Sequence, residues 1–134
     1  MIEAAVEAAG PNCGVLAVTI LTSLDSAALS EITGSEKANV GDAVLRLAEL
    51  ASAAKAHGVV CSGEEAAQLR SRFGTGLKLL VPGIRLPGDA PGDQARIVTP
   101  DSAVAAGADY IIIGRSITAA ADPLEAMHCV TSLL

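Results

Sequence analysis

Apolar, β-branched runs alternate along this chain with alanine-rich stretches that have helical spacing. Four short apolar runs predict strands, at residues 15–21 (VLAVTIL), 59–61, 78–81 and 110–113. A continuous apolar run is typical of a strand buried on both faces, as in a parallel sheet. Because the runs alternate with helical segments, we expect parallel strands joined by right-handed crossovers. The pattern predicts an α/β protein of four strand–helix units.

The helical segments carry start and stop signals. Residues 40–56 place apolar side chains at spacings of three and four, which predicts an amphipathic helix capped by Asn39 or by Gly41-Asp42, with Gly58 at its left-handed exit. Ser62 and Glu65 have the spacing of a capping box. Further helices are predicted over residues 2–9, 64–73, 100–106 and from 122–123 to the C-terminus, with a short helical turn near 27–29.

Composition narrows the class of protein. The chain has 134 residues, of which 51% are hydrophobic and 1% aromatic, so one compact unit with an aliphatic core is expected, either alone or as part of a larger domain. A net charge of −6 argues against general nucleic-acid binding, which needs a basic surface. A single Phe and a single Tyr cannot form a platform for stacking bases.

The sequence also argues against membrane insertion, secretion and a zinc site. No apolar run reaches the roughly 18 residues that a membrane span needs, and the acidic N-terminal stretch lacks the features of a signal peptide. Cys13, Cys61 and Cys129 form no CxxC pair. Scattered cysteines of this kind predict buried, reduced thiols in a cytoplasmic protein.

Two loops follow the last two predicted strands, at residues 83–96 (GIRLPGDAPGDQAR) and 114–123 (GRSITAAADP). Loops at these strand ends often form a phosphate pocket in parallel α/β barrels. Gly114 would let the backbone approach an anion, and the guanidinium of Arg115 would clamp two of its oxygens. Arg85 would supply a second cation and Gln94 a neutral donor.

Each loop also has a plainer interpretation. The first loop could be a passive connection, and a Gly-Arg pair after a strand could be a turn with a surface arginine. Asp89 and Asp93 would repel a phosphate, so they are expected to point towards solvent. Arg96 is expected to be a surface or salt-bridged residue rather than a ligand.

Four stretches resemble the orotidine 5′-phosphate decarboxylase family of ribulose-phosphate-binding barrels: residues 16–25 (LAVTILTSLD), 58–62 (GVVCS), 81–100 (VPGIRLPGDAPGDQARIVTP) and 107–127 (GADYIIIGRSITAAADPLEAM). The resemblance implies a carboxy-lyase of pyrimidine biosynthesis that converts orotidine monophosphate to uridine monophosphate and CO2, with no metal or organic cofactor.

The resemblance also implies roles for individual residues. Thr22 would contact the pyrimidine ring or its ribose, and Gln94 would lie on the loop that closes over phosphate and base. Arg85, Gly114 and Arg115 would hold the phosphate. Leu86 and Ser116 stand where many members carry proline, and neither is expected to supply a side chain to the site.

The family's catalytic lysine–aspartate motif, similar to DLKxHDIPNT, does not occur in this sequence. A full barrel has eight strand–helix units in about 250 residues. Residues 1–134 are therefore expected to form a single unit, the second half of a (β/α) barrel, which begins in the helix before the fifth strand. It would contain the phosphate-binding loops but no catalytic residue, so we expect the isolated chain to lack decarboxylase activity.

Half a barrel would expose its apolar inner face and sheet edges. We therefore expect association with a complementary N-terminal half or with a second copy, as a dimer or other homo-oligomer. Two alternatives stay open: another sugar-phosphate enzyme of the same barrel group, and a non-catalytic, self-associating half barrel.

Overall fold

The structure, a computed structural model, describes residues 1–36, 38–89, 92 and 95–134. These residues form a four-stranded sheet of β1 (Leu16–Val18), β2 (Gly58–Val60), β3 (Lys78–Val81) and β4 (Tyr110–Ile111). The strands are all parallel and lie in the order β1-β2-β3-β4. Neighbouring strands are thus consecutive in the chain, and the prediction of a parallel α/β fold is confirmed.

Helices connect and flank the strands, and the bounds of most agree closely with the predicted ones. They are α1 (Ile2–Ala9), α2 (Ser26–Thr33), α3 (Val40–Ala53), α4 (Gly63–Phe73), α5 (Pro100–Ala105), α6 (Arg115–Thr118) and α7 (Pro123–Leu133), with a 3₁₀ turn at Gly10–Asn12. Asn39 caps α3, since its Oδ1 accepts from the Asp42 amide at 3.0 Å. Ser62 and Glu65 form the predicted capping box of α4.

One face of the sheet packs against the helices and contains the core. Ala17, Val59 and Leu79 are register partners on neighbouring strands, and the last two are almost fully buried. Val44 and Leu69 cover them from α3 and α4, and both are buried in the same cluster. This aliphatic layer of helices on a sheet is the core that the composition predicts.

The opposite face of the sheet is largely uncovered. Val18, Val60, Leu80 and Tyr110 form a row of register partners across all four strands. Val18 is 59% exposed and Tyr110 47% exposed. The expectation that the first strand is buried on both faces is therefore wrong, because only helices on one side cover the sheet. In a closed barrel this second face points inward.

β1 and β4 are shorter than their apolar runs. β1 ends at Val18 and β4 at Ile111, although the runs extend to Leu21 and Ile113. Gly58 also differs from expectation: Lys55 adopts the left-handed conformation after α3, with φ 60°, and Gly58 belongs to β2. A Cβ on Gly58 would lie 2.2 Å from the Lys78 carbonyl oxygen, so close strand packing explains this glycine.

A charge cluster holds the amino edge of the sheet. Asp109, just before β4, accepts from Lys78 Nζ at 2.8 Å and from the Leu79 amide at 2.9 Å, and it pairs with Arg70 Nη2 at 2.5 Å. Burial would raise the pKa of the Asp109 carboxyl, but these donors outweigh it and lower the pKa to about 2. Lys78 is therefore a structural residue at the edge opposite the predicted site.

The cysteines differ in exposure. Cys61 is buried after β2, whereas Cys13 and Cys129 are exposed, so the prediction of buried thiols holds for Cys61 alone. All three are unpaired. Burial, with the nearby Glu65 charge, raises the pKa of the Cys61 thiol to about 12. Within the described ranges, no helix has the length and apolar character of a membrane span.

Candidate functional site

Arg85 is fixed at the carboxyl edge of the sheet by the backbone that follows β3. Ile84 forms a parallel bridge with Val98, and the Arg85 amide donates to the Val98 carbonyl at 2.9 Å. Arg85 Nη1 donates to the Ile84 carbonyl at 2.8 Å, and the residue is only 7% exposed. A buried guanidinium with a fixed orientation is suited to binding an anion.

Arg115 starts the short helix α6, which follows β4 at the same edge. Gly114 caps this helix: its carbonyl accepts from the Ile117 amide at 2.9 Å. The Arg115 guanidinium lies against Gly92 of the preceding loop, where a Cβ would be 2.9 Å from Arg115 Nη1. Gly92 also has a φ of +67°, so glycine suits this position for both backbone and space.

Arg85 and Arg115 line one cavity of ≈ 320 Å³, together with Asp89, Gly92, Ser116, Ala119 and Ala120. Among the described residues, its charges are thus two guanidinium groups and one carboxylate. The loops after β3 and β4 meet here because the carboxyl ends of neighbouring parallel strands lie side by side. The arrangement can hold an anion of phosphate size by charge-assisted hydrogen bonds.

Ser116 contributes to the cavity, contrary to the expectation that it supplies no side chain. Its Oγ is buried and makes no hydrogen bond of normal geometry with the described part of the chain. A buried hydroxyl without such a bond is costly unless a further polar group reaches it. The small side chain at this position therefore adds a donor and acceptor to the cavity wall.

Asp89 is exposed to solvent, as expected, but it also lines the cavity. Its carboxylate accepts from the Leu86 amide at 2.9 Å and lines the cavity wall. The nearby Ser116 hydroxyl and the Leu86 amide lower the pKa of the Asp89 carboxyl. The Asp89 amide donates in turn to the Leu86 carbonyl at 3.0 Å, so this aspartate shapes the start of the loop.

The remaining predicted site residues lie outside this cavity or outside the described residues. Gly114 is adjacent to Arg115, and a Cβ there would meet open space. Thr22 is buried after β1, and its carbonyl accepts from the amides of Ala95 and Arg96 at 3.1 and 3.3 Å. Gln94 and Asp93 lie outside the described residues. The ligand roles of Thr22, Arg85, Gln94, Gly114 and Arg115 stay predictions.

Arg96 is salt-bridged, one of the two expected alternatives, but it is buried rather than on the surface. Its Nη1 pairs with Glu65, and its Nη2 donates to the carbonyls of Ile20 and Leu21 at 3.2 and 3.0 Å. The sequence pattern does not identify these partners, because Glu65 and Ile20 lie 31 and 76 residues away along the chain. No group of three or more metal-ligating side chains occurs among the residues that the structure describes.

Fold and site together define a class: half of a parallel (β/α) barrel with a cationic cavity at the carboxyl edge of its last two strands. The sequence model of the orotidine 5′-phosphate decarboxylase / HUMPS family matches residues 1–130. The chain belongs to that family. The resemblance that the four motifs indicate is thereby confirmed, as is the half-barrel fold.

Two curated relatives match almost all of the chain. Orotidine 5′-phosphate decarboxylase of Anaeromyxobacter sp. (strain K) is 50% identical over 98% of this chain and 57% of its own length. The Thermobifida fusca protein of the same name is 52% identical over 92% of this chain and 52% of its own length. The chain therefore spans about half the length of the curated relatives it matches.

Two solved structures support the fold assignment. The crystal structure of orotidine 5′-phosphate decarboxylase from Lactobacillus acidophilus superposes with a TM-score of 0.76 at 31% identity, and the match covers 99% of this chain and 57% of that one. The structure of the Pyrococcus horikoshii protein of that name gives a TM-score of 0.57 at 30% identity, over 89% of this chain and 48% of that one.

Proposed function

We propose that this chain is the phosphate- and base-binding half of an orotidine 5′-phosphate decarboxylase, the enzyme that converts orotidine monophosphate to uridine monophosphate and CO2 in pyrimidine biosynthesis. The observation that carries the proposal is the shared cavity of Arg85 and Arg115. The relatives named above carry this activity in their names and match nearly the whole chain.

The proposed ligand is a nucleotide monophosphate. Arg85 and Arg115 would donate to its phosphate oxygens, with the Ser116 hydroxyl as a third donor and Gly114 keeping the approach open. Two cations outweigh the Asp89 carboxylate, so a dianion is favoured in this cavity. Thr22 would contact the pyrimidine or ribose, and Gln94 would close over phosphate and base.

The phosphate end matters although it is remote from the reacting carbon. Binding energy from a remote group can close a loop and orient the base, so that it contributes to the rate. Decarboxylation leaves a carbanion-like centre that needs positive charge and dry surroundings. No DLKxHDIPNT-like segment occurs in residues 1–134. We therefore propose that this chain binds nucleotide but does not turn it over alone, and that the reaction needs no metal or organic cofactor.

The exposed inner face of the sheet supports association as part of the same proposal. Val18, Tyr110 and Ile112 are each about half exposed there, and β1 and β4 each lack a second neighbour within the sheet order β1-β2-β3-β4. A complementary N-terminal half, or a second copy in a dimer, would cover both. A cytoplasmic location also belongs to the proposal, since three unpaired thiols suit a reducing compartment.

Two other functions stay open: a sugar-phosphate enzyme of the same barrel group, and a non-catalytic, self-associating half barrel. Titration calorimetry of the 134-residue chain with uridine monophosphate and with ribulose 5-phosphate separates them. The proposal expects tighter binding of the nucleotide. Equal or tighter binding of the sugar phosphate would favour the first alternative, and binding of neither would favour the second.

Arg115→Ala tests the cavity itself. It removes a charge-assisted contact of about 1.5–3 kcal/mol, so uridine monophosphate should bind at least about 10-fold more weakly. Arg72→Ala is the matched control, because Arg72 of α4 forms an exposed salt bridge with Glu49 of α3. Unchanged affinity in Arg115→Ala would contradict the role of Arg115 in nucleotide binding. Turnover of orotidine monophosphate by the unaltered chain well above background would contradict the proposal that the chain does not turn the nucleotide over alone.

A further inference from the structure

Arg96 lies where the segments after three strands meet. Its guanidinium pairs with Glu65 at the start of α4, after β2, and donates to the carbonyls of Ile20 and Leu21, after β1. Arg96 itself ends the loop that follows β3. The Arg96 guanidinium is planar and carries several donors in a fixed geometry. It therefore joins three chain segments at the carboxyl edge of the sheet.

The carboxylate that receives Arg96 is itself fixed. Glu65 Oε2 accepts from the Ser62 amide at 3.1 Å in the capping box of α4, while Oε1 pairs with Arg96 Nη1. The side chains of Glu65 and Arg96 are 8% and 7% exposed. Burial of two charges is expensive, and such pairs are better evidence for a specified geometry than for added stability.

The backbone at Arg96 continues the same connection towards the proposed ligand site. The Ala95 and Arg96 amides donate to the Thr22 carbonyl, and the Val98 carbonyl accepts from the Arg85 amide at 2.9 Å. Residues 95–98 therefore contact two proposed ligand residues through the backbone. These are Thr22, proposed for the base or ribose, and Arg85, proposed for the phosphate.

From these contacts we infer that Arg96, held by Glu65, is a positioning residue: it fixes residues 95–98, which follow the loop after β3, relative to Thr22 and Arg85. This inference rests on the proposed function, because it assigns Arg96 an effect on nucleotide affinity. Arg96 does not line the cavity and acts through Thr22 and the loop backbone.

The test compares Arg96→Lys and Glu65→Gln with Asp109→Asn in the full 134-residue chain. Asp109→Asn disrupts a charge cluster of similar kind at the opposite edge of the sheet, away from the cavity. Calorimetry with uridine monophosphate, thermal unfolding and amide hydrogen exchange are measured for each variant. Glu65→Gln is the milder change and serves if Arg96→Lys does not fold.

We expect both site-edge variants to bind uridine monophosphate about 10-fold more weakly, which is a loss of about 1.4 kcal/mol in binding free energy, while Asp109→Asn binds as the unaltered chain does. The Ala95 and Arg96 amides should exchange faster in Glu65→Gln, with β2 amides unchanged. If these two variants lose thermal stability but keep the affinity and the exchange rates of the two amides, the inference about Arg96 is overturned and the proposed function is not. Absence of nucleotide binding by the unaltered chain would overturn the proposed function and the inference with it.

Discussion

Gly92 lies directly against the guanidinium of Arg115, at a distance where a Cβ would require the guanidinium to shift. A Cβ at this position would be 2.9 Å from Arg115 Nη1 and 3.4 Å from Cζ. The loop after β3 thus contacts the first residue of α6 through its backbone. The position of the arginine depends on a residue that itself has no side chain.

Gly92→Ala should weaken binding of uridine monophosphate, because the new methyl group displaces the Arg115 guanidinium. Its φ of +67° adds backbone strain of about 1–2 kcal/mol. Gly34→Ala is the matched control, since Gly34 has the same φ and a Cβ there meets nothing within 4 Å. Calorimetry and chemical denaturation should show similar losses of stability but weaker binding for Gly92→Ala alone. Equal affinity in the two variants would contradict the crowding of Arg115.

The Asp109 cluster predicts an acid-dependent loss of stability. The folded-state pKa of about 2 lies below the ordinary value of 3.8, so the folded state binds this proton less readily than the unfolded state. The contribution is fully present above about pH 4 and is lost as pH falls towards 2. Asp109→Asn should lower the free energy of unfolding at pH 7 by about 1–3 kcal/mol and reduce its decline between pH 4 and 2. Urea denaturation across this range measures both, and an unchanged acid profile in the variant would refute the role.

Gly58→Ala should destabilise the chain strongly. A Cβ would lie 2.2 Å from the Lys78 carbonyl oxygen, and backbone in a sheet cannot easily move away. We expect a loss of about 1–3 kcal/mol or more, as for other overpacked sites. In Gly76→Ala the nearest atom is at 3.6 Å, an ordinary contact, so this variant serves as the comparison. Thermal unfolding that does not distinguish the two variants would contradict the close approach of β2 and β3.

Val18→Lys should reduce association of the chain without lowering its thermal stability. Val18 is 59% exposed on the uncovered sheet face, so little packing within the chain is lost. A charge on this face would have to be desolvated when a partner covers it. Ile32→Lys is the control, because Ile32 is 67% exposed on α2 rather than on the sheet. Light scattering after size-exclusion chromatography measures the effect; a monomeric unaltered chain, or equal effects of the two substitutions, would contradict this use of the face.

Features that depend on nearby residues could be predicted from the sequence. The caps at Asn39 and Ser62 follow from side chains two or three residues before their backbone partners. β3 agrees fully with its apolar run at residues 78–81. The location of Arg85 and Arg115 at the same cavity follows from the parallel strand order, because the loops after neighbouring strands meet at one edge of the sheet.

Features set by distant contacts could not be predicted in this way. The exposure of Val18 depends on what covers the second sheet face, which an apolar run does not encode. The burial of Ser116 depends on how α6 turns back against the cavity, and α6 itself is only four residues long. The Arg96 contacts join residues far apart in sequence, so the local pattern allows a salt-bridged Arg96 but identifies neither its partner nor its burial.

Helix α1 precedes the first strand and α7 follows the last, so four strands are accompanied by helices at both ends of the series. A closed barrel of this type alternates one crossover helix with each strand. Two copies of this chain would bring a pair of helices to each junction, where a single helix normally packs. Four further strands with three intervening helices would complete the ring without that surplus.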